Sequence, residues 1–308
     1  LTKTKIYLSS PHMGGSEQKY VSEAFQTNWI APLGPNVDGF ENDINDYLDG
    51  NSYTAALSSG TGAIHSALRL LGVSKGDEVL CQSFTFSASA NPITYLGATP
   101  VFVDSEVNTW NISPELLEIA IKDRIEKYKK PKAIIGVHLY GMPYMANEIN
   151  QIAKKYGIPV VEDSAEALGS KYHAKKCGTL GDIGILSFNG NKIITTSGGG
   201  ALICKTEQER TRALYLAQQA KASSRVYEHE VIGYNYRMSN LCAALGRAQL
   251  SGLDQRLQQK KEIHQRYVEL AGQYAGISIY TLEDHLKAKR NAPRYESGND
   301  PSVLHASG

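Results

Sequence analysis

The sequence predicts an α/β fold, a mostly parallel central sheet sandwiched by helices, and three observations carry that prediction. Between about residues 52 and 205, short apolar runs rich in β-formers alternate with longer amphipathic segments. The runs are apolar enough to be buried, as in Pro159–Glu162 and Ile183–Phe188, which suits strands covered on both faces. Helical patterns near Pro114–Tyr128 and Met145–Tyr156 separate three of the strand candidates, as crossovers between parallel strands require.

In chain order, Thr54–Leu57 reads as a strand and Thr61–Leu71 as a helix with apolar residues at helical spacing. Glu78–Gln82 is the next strand, followed by a helix near Ser87–Leu96 and a strand at Pro100–Val103. Ala133–Leu139, Pro159–Glu162, Ile183–Phe188 and Ala201–Cys204 complete the strand set. After Thr206 the pattern turns helical, and Ser239–Gly272 reads as one long, nearly unbroken helix. Beyond Gly276 only a weak strand at Ile277–Tyr280 is visible. The polar tail Leu282–Gly308, with Pro293, Gly298 and Pro301, reads as irregular. The predicted division is a large domain over 1–250 and a long helix with an incomplete C-terminal domain over 251–308.

The 308 residues include 32 basic and 31 acidic side chains, a balance that predicts no nucleic-acid and no acidic-membrane partner. Lys127, Lys129, Lys130 and Lys132 read as a solvated helix end. Cys81, Cys177, Cys204 and Cys242 are widely spaced without a C-x-x-C pair, so reduced buried thiols are expected rather than disulfides or a zinc site. No run reaches the roughly 18 apolar residues of a membrane span. The stretch Leu1–Ile6 lacks the apolar core of a signal peptide, and a cytoplasmic location is expected.

Three motifs carry candidate chemistry. Ser58-Ser59-Gly60-Thr61-Gly62-Ala63 lies between a strand and a helix, where small residues and unpaired N–H groups can receive an anion. It reads equally as an ordinary N-cap and turn. It is neither a Walker loop nor a G-x-G-x-x-G fingerprint. Val160-Val161-Glu162-Asp163 ends a strand in a carboxylate that can hold a pyridine nitrogen in its protonated form, or can simply cap the next turn. Lys192 follows the strand Ile183–Phe188 among small polar residues, before Thr195-Thr196-Ser197-Gly198-Gly199-Gly200. A crevice lysine suits Schiff-base chemistry, although most lysines are surface charges. All three motifs fall at the carboxyl ends of predicted strands, where open α/β sheets bind ligands.

Further signposts are Asn28–Pro35, Phe84-Thr85-Phe86 with Asn91, Gly97–Asp104, Glu162-Asp163-Ser164-Ala165, Ser187–Lys192 and Gly233–Ser239. With them the chain, over roughly residues 6–275, resembles the sugar aminotransferases of the DegT/DnrJ/EryC1/StrS family. The resemblance implies the fold type I architecture and pyridoxal 5'-phosphate (PLP) as cofactor. It matches Lys192 to the lysine that holds the cofactor covalently and shuttles a proton. Asp163 matches the acid on the pyridine nitrogen, and Phe86 the ring-stacking aromatic, which would otherwise read as a core residue. Gly60, Thr61 and Ser187 match phosphate contacts. Asn235 matches a residue that reaches the phosphate of a partner subunit, which implies a homodimer. Glu166 stands near the ring where relatives often carry histidine or glutamine.

The segment Ser187–Gly200 is similar to members acting on UDP-linked 4-keto-6-deoxy-N-acetylhexosamines of the bacillosamine branch, with glutamate as amino donor. The product would feed glycoprotein or surface-polysaccharide synthesis. Family members carry a small C-terminal domain, and the likeness fades after about Gly276, so a partial or truncated version of that domain is expected. Two alternatives stay open at this level. One is a PLP-dependent sugar dehydratase, which the lysine at position 192 argues against. The other is a non-catalytic member that binds PLP or a nucleotide sugar.

Overall fold

The computed structural model describes residues 5, 7–222, 226–277 and 279. Nine strands are present among them: β1 (Tyr53–Leu57), β2 (Glu78–Gln82), β3 (Thr99–Val103), β4 (Ala133–Val137), β5 (Val160–Asp163), β6 (Lys171–Tyr172), β7 (Lys175–Lys176), β8 (Ile183–Ser187) and β9 (Gly200–Cys204). Seven form one sheet in the order β1-β9-β8-β5-β4-β2-β3, and β6 pairs with β7 as a separate small hairpin. β8, β5, β4, β2 and β3 are parallel neighbours, whereas β9 runs antiparallel to both β8 and β1. β1 therefore points the same way as the parallel set, and the carboxyl ends of β1, β5 and β8 share one edge.

The helices are α1 (Glu17–Gln26), α2 (Pro35–Tyr47), α3 (Gly60–Leu70), α4 (Asn91–Tyr95), α5 (Pro114–Lys127), α6 (Ala146–Tyr156), α7 (Glu207–Ala217), α8 (Asn240–Ser251) and α9 (Leu253–Ala271). Their starts follow local chemistry. The Ser113 side chain accepts from the Leu116 amide with Pro114 in the first turn of α5, and Thr206 with Glu209 forms a capping box for α7. α6 stops at Gly157, whose left-handed φ of 61° suits glycine.

Side chains alternate across the sheet. Leu57, Val79, Cys81, Ile135, Val161, Ile185 and Leu202 pack on one face beneath α3 and α7. The other face splits in two. Ala56, Leu186, Ala201 and Ile203 meet α2 and α8, while Leu80, Ile134 and Val160 meet α5 and α6. The four cysteines are free. No described helix is long and apolar enough to cross a membrane. One compact unit runs through Ile263 and a second begins at His264.

Several elements differ from the sequence prediction. α1 and α2 precede β1 and were not anticipated. α2 buries Val37, Phe40, Glu41 and Ile44, a helical stripe interrupted by an acid. The single helix expected near Ser87–Leu96 is a 3-10 turn, Ser87–Ser89, then α4 restarting with Pro92 in its first turn. β4 ends at Val137 rather than Leu139, because Leu139–Gly141 turns with Tyr140 at φ 51°. The helix expected over Ser239–Gly272 is two helices broken at Gly252, a residue that costs about 1 kcal/mol inside a helix and ends α8 here. The run Ile277–Tyr280 is only half described, and the tail Leu282–Gly308 lies outside the described residues.

One register position ties the sheet to the functional edge. Gly200 opposes both Leu57 of β1 and Ser187 of β8. A Cβ on Gly200 would lie 2.4 Å from the Gly60 nitrogen and 2.4 Å from the Ser59 carbonyl carbon. Gly200→Ala must therefore push the Ser59–Gly60 turn away from the sheet. Urea unfolding should show a loss of about 1–3 kcal/mol, as overpacking costs; unchanged stability would contradict this register.

Candidate active site

Asp163 closes β5, and its carboxylate is buried. Oδ2 accepts from the Ser89 hydroxyl at 2.7 Å and Oδ1 from the Ala165 amide at 3.1 Å. Ser89 donates there, so its contact with the Thr85 hydroxyl, at 2.8 Å, makes Thr85 the donor to Ser89. Burial pushes the Asp163 carboxyl above its usual range, against the pull of Ser89, the Ala165 amide, the Lys192 charge and His138. A buried carboxylate with so little compensation suits a cationic partner.

Lys192 lies on the segment between β8 and β9. That segment is pinned by the Thr196 amide donating to the Phe188 carbonyl at 2.9 Å, and the Lys192 amide bonds the Asn189 carbonyl at 3.0 Å. The Lys192 side chain is 17% exposed, with Nζ 3.5 Å from Glu166 Oε1. Glu166 Oε2 accepts from the Tyr140 amide at 2.9 Å, so one carboxylate spans the lysine and the left-handed turn after β4. Lys192, Asp163 and Glu166 are thus brought together at the carboxyl ends of β5 and β8.

The Ser58–Ala63 motif is both an N-cap and a cradle. Ser59 caps α3, its hydroxyl oxygen accepting from the Gly62 amide at 2.9 Å. That leaves the first amides of α3, at Gly60 and Thr61, as a helix N-terminus beside Ser187. A Cβ on Gly60 would stand 3.0 Å from Ser187 Cβ. Gly60, Thr61 and Ser187 are all half-buried.

Phe86 is 77% exposed, so it is no core residue and its face is open at the mouth of this edge, beyond the Ser89 turn. Asn235 is exposed and held by Gln219 Nε2, which donates to its Oδ1 at 3.2 Å. It lines a pocket of about 420 Å³ with Leu33, Gln218, Lys221 and Arg237. None of the Lys192, Asp163 and Glu166 group lines that pocket.

Sequence alone assigns no role to Glu162, the buried neighbour of Asp163. Its Oε1 accepts from His138 Nε2 at 2.7 Å, the Gly178 amide at 2.6 Å and the Ser164 hydroxyl at 3.2 Å. Its Oε2 accepts from the Leu180 and Gly181 amides at 2.6 and 2.8 Å. His138 Nδ1 accepts from the Tyr144 amide at 3.1 Å, which assigns the ring proton to Nε2. His138, Glu162 and Cys177 lie close enough to suggest a metal site. That proton, aimed at Glu162, instead fills the place of a cation. Burial alone would raise the Glu162 carboxyl, but His138 and the Gly178 and Gly181 amides outweigh it and hold it below its ordinary value. Glu41 is a second buried acid that was missed. It accepts from the Ala56 amide at 2.7 Å and from Arg210 at 2.6 Å, and it also pairs with Arg237. The signal for it was the stripe at 37, 40, 41 and 44.

An acid short of a counter-charge, an adjacent amine and a helix N-terminus match the ring nitrogen, aldehyde and phosphate of PLP, so these residues fit that group. The mostly parallel sheet between helices is the architecture of fold type I PLP-dependent transferases. Known proteins narrow this. The model of the DegT/DnrJ/EryC1/StrS aminotransferase family matches residues 11–293. EpsN of Bacillus subtilis (strain 168), named as a pyridoxal phosphate-dependent aminotransferase, is 50% identical over 294 residues, 96% of this chain and 72% of EpsN. GDP-perosamine synthase of Escherichia coli O157:H7 is 44% identical over 264 residues, 85% of this chain and 70% of the synthase. Among solved structures, Spr1654 of Streptococcus pneumoniae in its PLP form, named as a sugar aminotransferase, superposes with a TM-score of 0.79 at 31% identity, covering 86% of this chain and 71% of that one. The chain belongs to the DegT/DnrJ/EryC1/StrS aminotransferase family, and its place there is that of a PLP-dependent sugar aminotransferase.

The Glu162 network sets a pH dependence. A carboxyl held below its unfolded value of about 4.5 contributes stability that is complete above that pH and is lost as pH falls below it. Glu162→Gln leaves buried N–H donors facing an amide and should lower unfolding stability at pH 7 by about 3 kcal/mol. Urea titrations at pH 7 and in acid should show the gap between variant and wild type narrowing in acid; a constant gap would contradict the network.

Proposed function

We propose that the chain transfers an amino group from glutamate to the keto carbon of a UDP-linked 4-keto-6-deoxy sugar, with Lys192 and Asp163 as the catalytic pair. The observation that carries this reading is the placement of Lys192 Nζ beside Glu166 and within electrostatic reach of the buried Asp163 carboxylate. When bound, PLP supplies an electron sink conjugated to the reacting carbon. The chain's residues do the rest. The Gly60 and Thr61 amides and the Ser187 hydroxyl bind the phosphate and so fix the ring's orientation. Asp163 holds the proton on the pyridine nitrogen. Phe86 covers one ring face. Lys192 Nζ would hold the cofactor covalently and, as a free amine, would take up and return the proton of the substrate carbon. Glu166 Oε1 stands where it can stabilise that amine while it carries the proton.

Asn235 faces outward from its own chain, and in a homodimer it would supply a phosphate contact to the other subunit. Exposed Trp29, Ile30, Leu33, Tyr227 and Ile232 offer apolar surface for such pairing. The product, a nucleotide-linked amino sugar, would serve surface-polysaccharide or glycoprotein synthesis in the cytoplasm. A GDP-linked sugar is the second reading, favoured by the 44% identity to a GDP-perosamine synthase. The fold itself does not choose a substrate, since 3-amino-5-hydroxybenzoic acid synthase superposes with a TM-score of 0.82 at 28% identity.

Purified protein given PLP, glutamate and a panel of UDP- and GDP-linked keto sugars should release 2-oxoglutarate with a UDP-linked member. Release with GDP-linked sugars alone would replace the first reading by the second, and release with none would overturn both. Lys192→Ala should abolish turnover, and parental turnover would remove Lys192 from the mechanism. Asp163→Asn should lower turnover by at least about 10²-fold, the scale of losing a preorganised charge contact, with cofactor still bound.

A further inference from the structure

The segment that carries Lys192 is held by a buried polar cluster built on Arg256, Gln249 and Glu17. Arg256 Nη1 donates to the carbonyl of Ile193, the residue after Lys192, at 3.2 Å. Gln249 Oε1 accepts from the Thr195 amide at 3.2 Å. The two side chains are bonded to each other, Arg256 Nη1 donating to Gln249 Oε1, and both donate to the His12 carbonyl at 3.0 Å. Glu17 completes the cluster. It accepts from Gln249 Nε2 and from the Gly14 and Gly15 amides at 2.6 and 2.7 Å, and lies 3.7 Å from Arg256 Nη2. Gln249 is fully buried, and the Arg256 and Glu17 side chains are 10% and 7% exposed.

The helix break makes this possible. α8 ends at Gly252 and α9 starts afresh, so Arg256 sits in the first turn of α9, its amide on the Gly252 carbonyl at 3.2 Å. Burying an arginine and a glutamate here is a poor way to gain stability, because apolar residues of similar volume commonly do as well. A planar guanidinium does offer fixed directions. Its fork spans the Ile193 carbonyl, Gln249 and the His12 carbonyl at once, which a flexible ammonium cannot reproduce.

We propose that Arg256, acting with Gln249, is a positioning residue that aims Lys192 by holding the Ile193 carbonyl and Thr195 amide. This rests on the reading of Lys192 given above. A misplacement on the order of 1 Å in a reacting group can cost about 10²-fold in rate, so the cluster bears on turnover while donor binding depends on other residues.

The test compares PLP-loaded wild type with Arg256→Met, Arg256→Lys and, separately, Lys192→Ala. Each is read for melting midpoint, kcat, KM for glutamate, and the rate at which borohydride fixes the cofactor to the protein. Per folded molecule, Arg256→Met should lose up to about 10²-fold in kcat and trap more slowly, with KM for glutamate little changed. Arg256→Lys should recover part of both. If Arg256→Met does not fold, the same kcat-without-KM loss is read in Arg256→Lys. Wild-type kcat and trapping rate in the folded variants, or a loss confined to KM, would overturn the proposal. Turnover surviving in Lys192→Ala would sink the lysine assignment instead, independently of the Arg256 result.

Discussion

A carboxylate removed from water without enough donors to replace it is the constraint around which this site is built. Asp163 and Glu162 are consecutive on β5 and face opposite sides of the sheet, as strand geometry requires. Glu162 accepts five hydrogen bonds and is held ionised below its ordinary range. Asp163 accepts two, and burial pushes it the other way. The same side-chain chemistry is closed on one face and left wanting a cation on the other. Under the proposed reading, the protonated pyridine nitrogen of PLP is that cation.

The sheet explains how distant segments reach one ring. β1, β5 and β8 point the same way, so the helix N-terminus after Leu57, the Asp163 carboxylate and the Lys192 segment all emerge at one edge. The antiparallel β9 between β1 and β8 then brings Gly200 against the Ser59–Gly60 turn, where no side chain fits. Beneath the lysine, Arg256 and Gln249 take up backbone groups that a loop would otherwise turn to water.

Much of this was legible in the residues. The sheet strands could be read because buried runs such as Val160-Val161 and Ile183–Leu186 leave little choice of structure, and parallel order followed from their alternation with helices. The Ser58–Ala63 turn, Asp163 and Lys192 could be singled out because each follows or ends such a strand, whereas Ser187 was pointed to only by the family resemblance. The less legible parts have physical reasons. α2 carries a buried Glu41 in its apolar stripe, which blurs its periodicity, and only the fold reveals the Arg210 and Arg237 partners. Gly252 lies among good helix formers, so local propensity continues the helix that tertiary packing breaks. Glu162 reads in sequence as one more residue of the motif, since all its partners except Ser164 come from 16 to 24 residues away.

Under the proposed reading Asp163 keeps the bound ring nitrogen protonated, and the nitrogen-15 resonance of ring-labelled PLP in the wild-type protein and in Asp163→Asn reports that proton. The wild type should show a pyridinium shift that persists at neutral and mildly alkaline pH, and the variant a neutral-pyridine shift. A neutral pyridine in the wild type, or a pyridinium that survives Asp163→Asn unchanged, would contradict it.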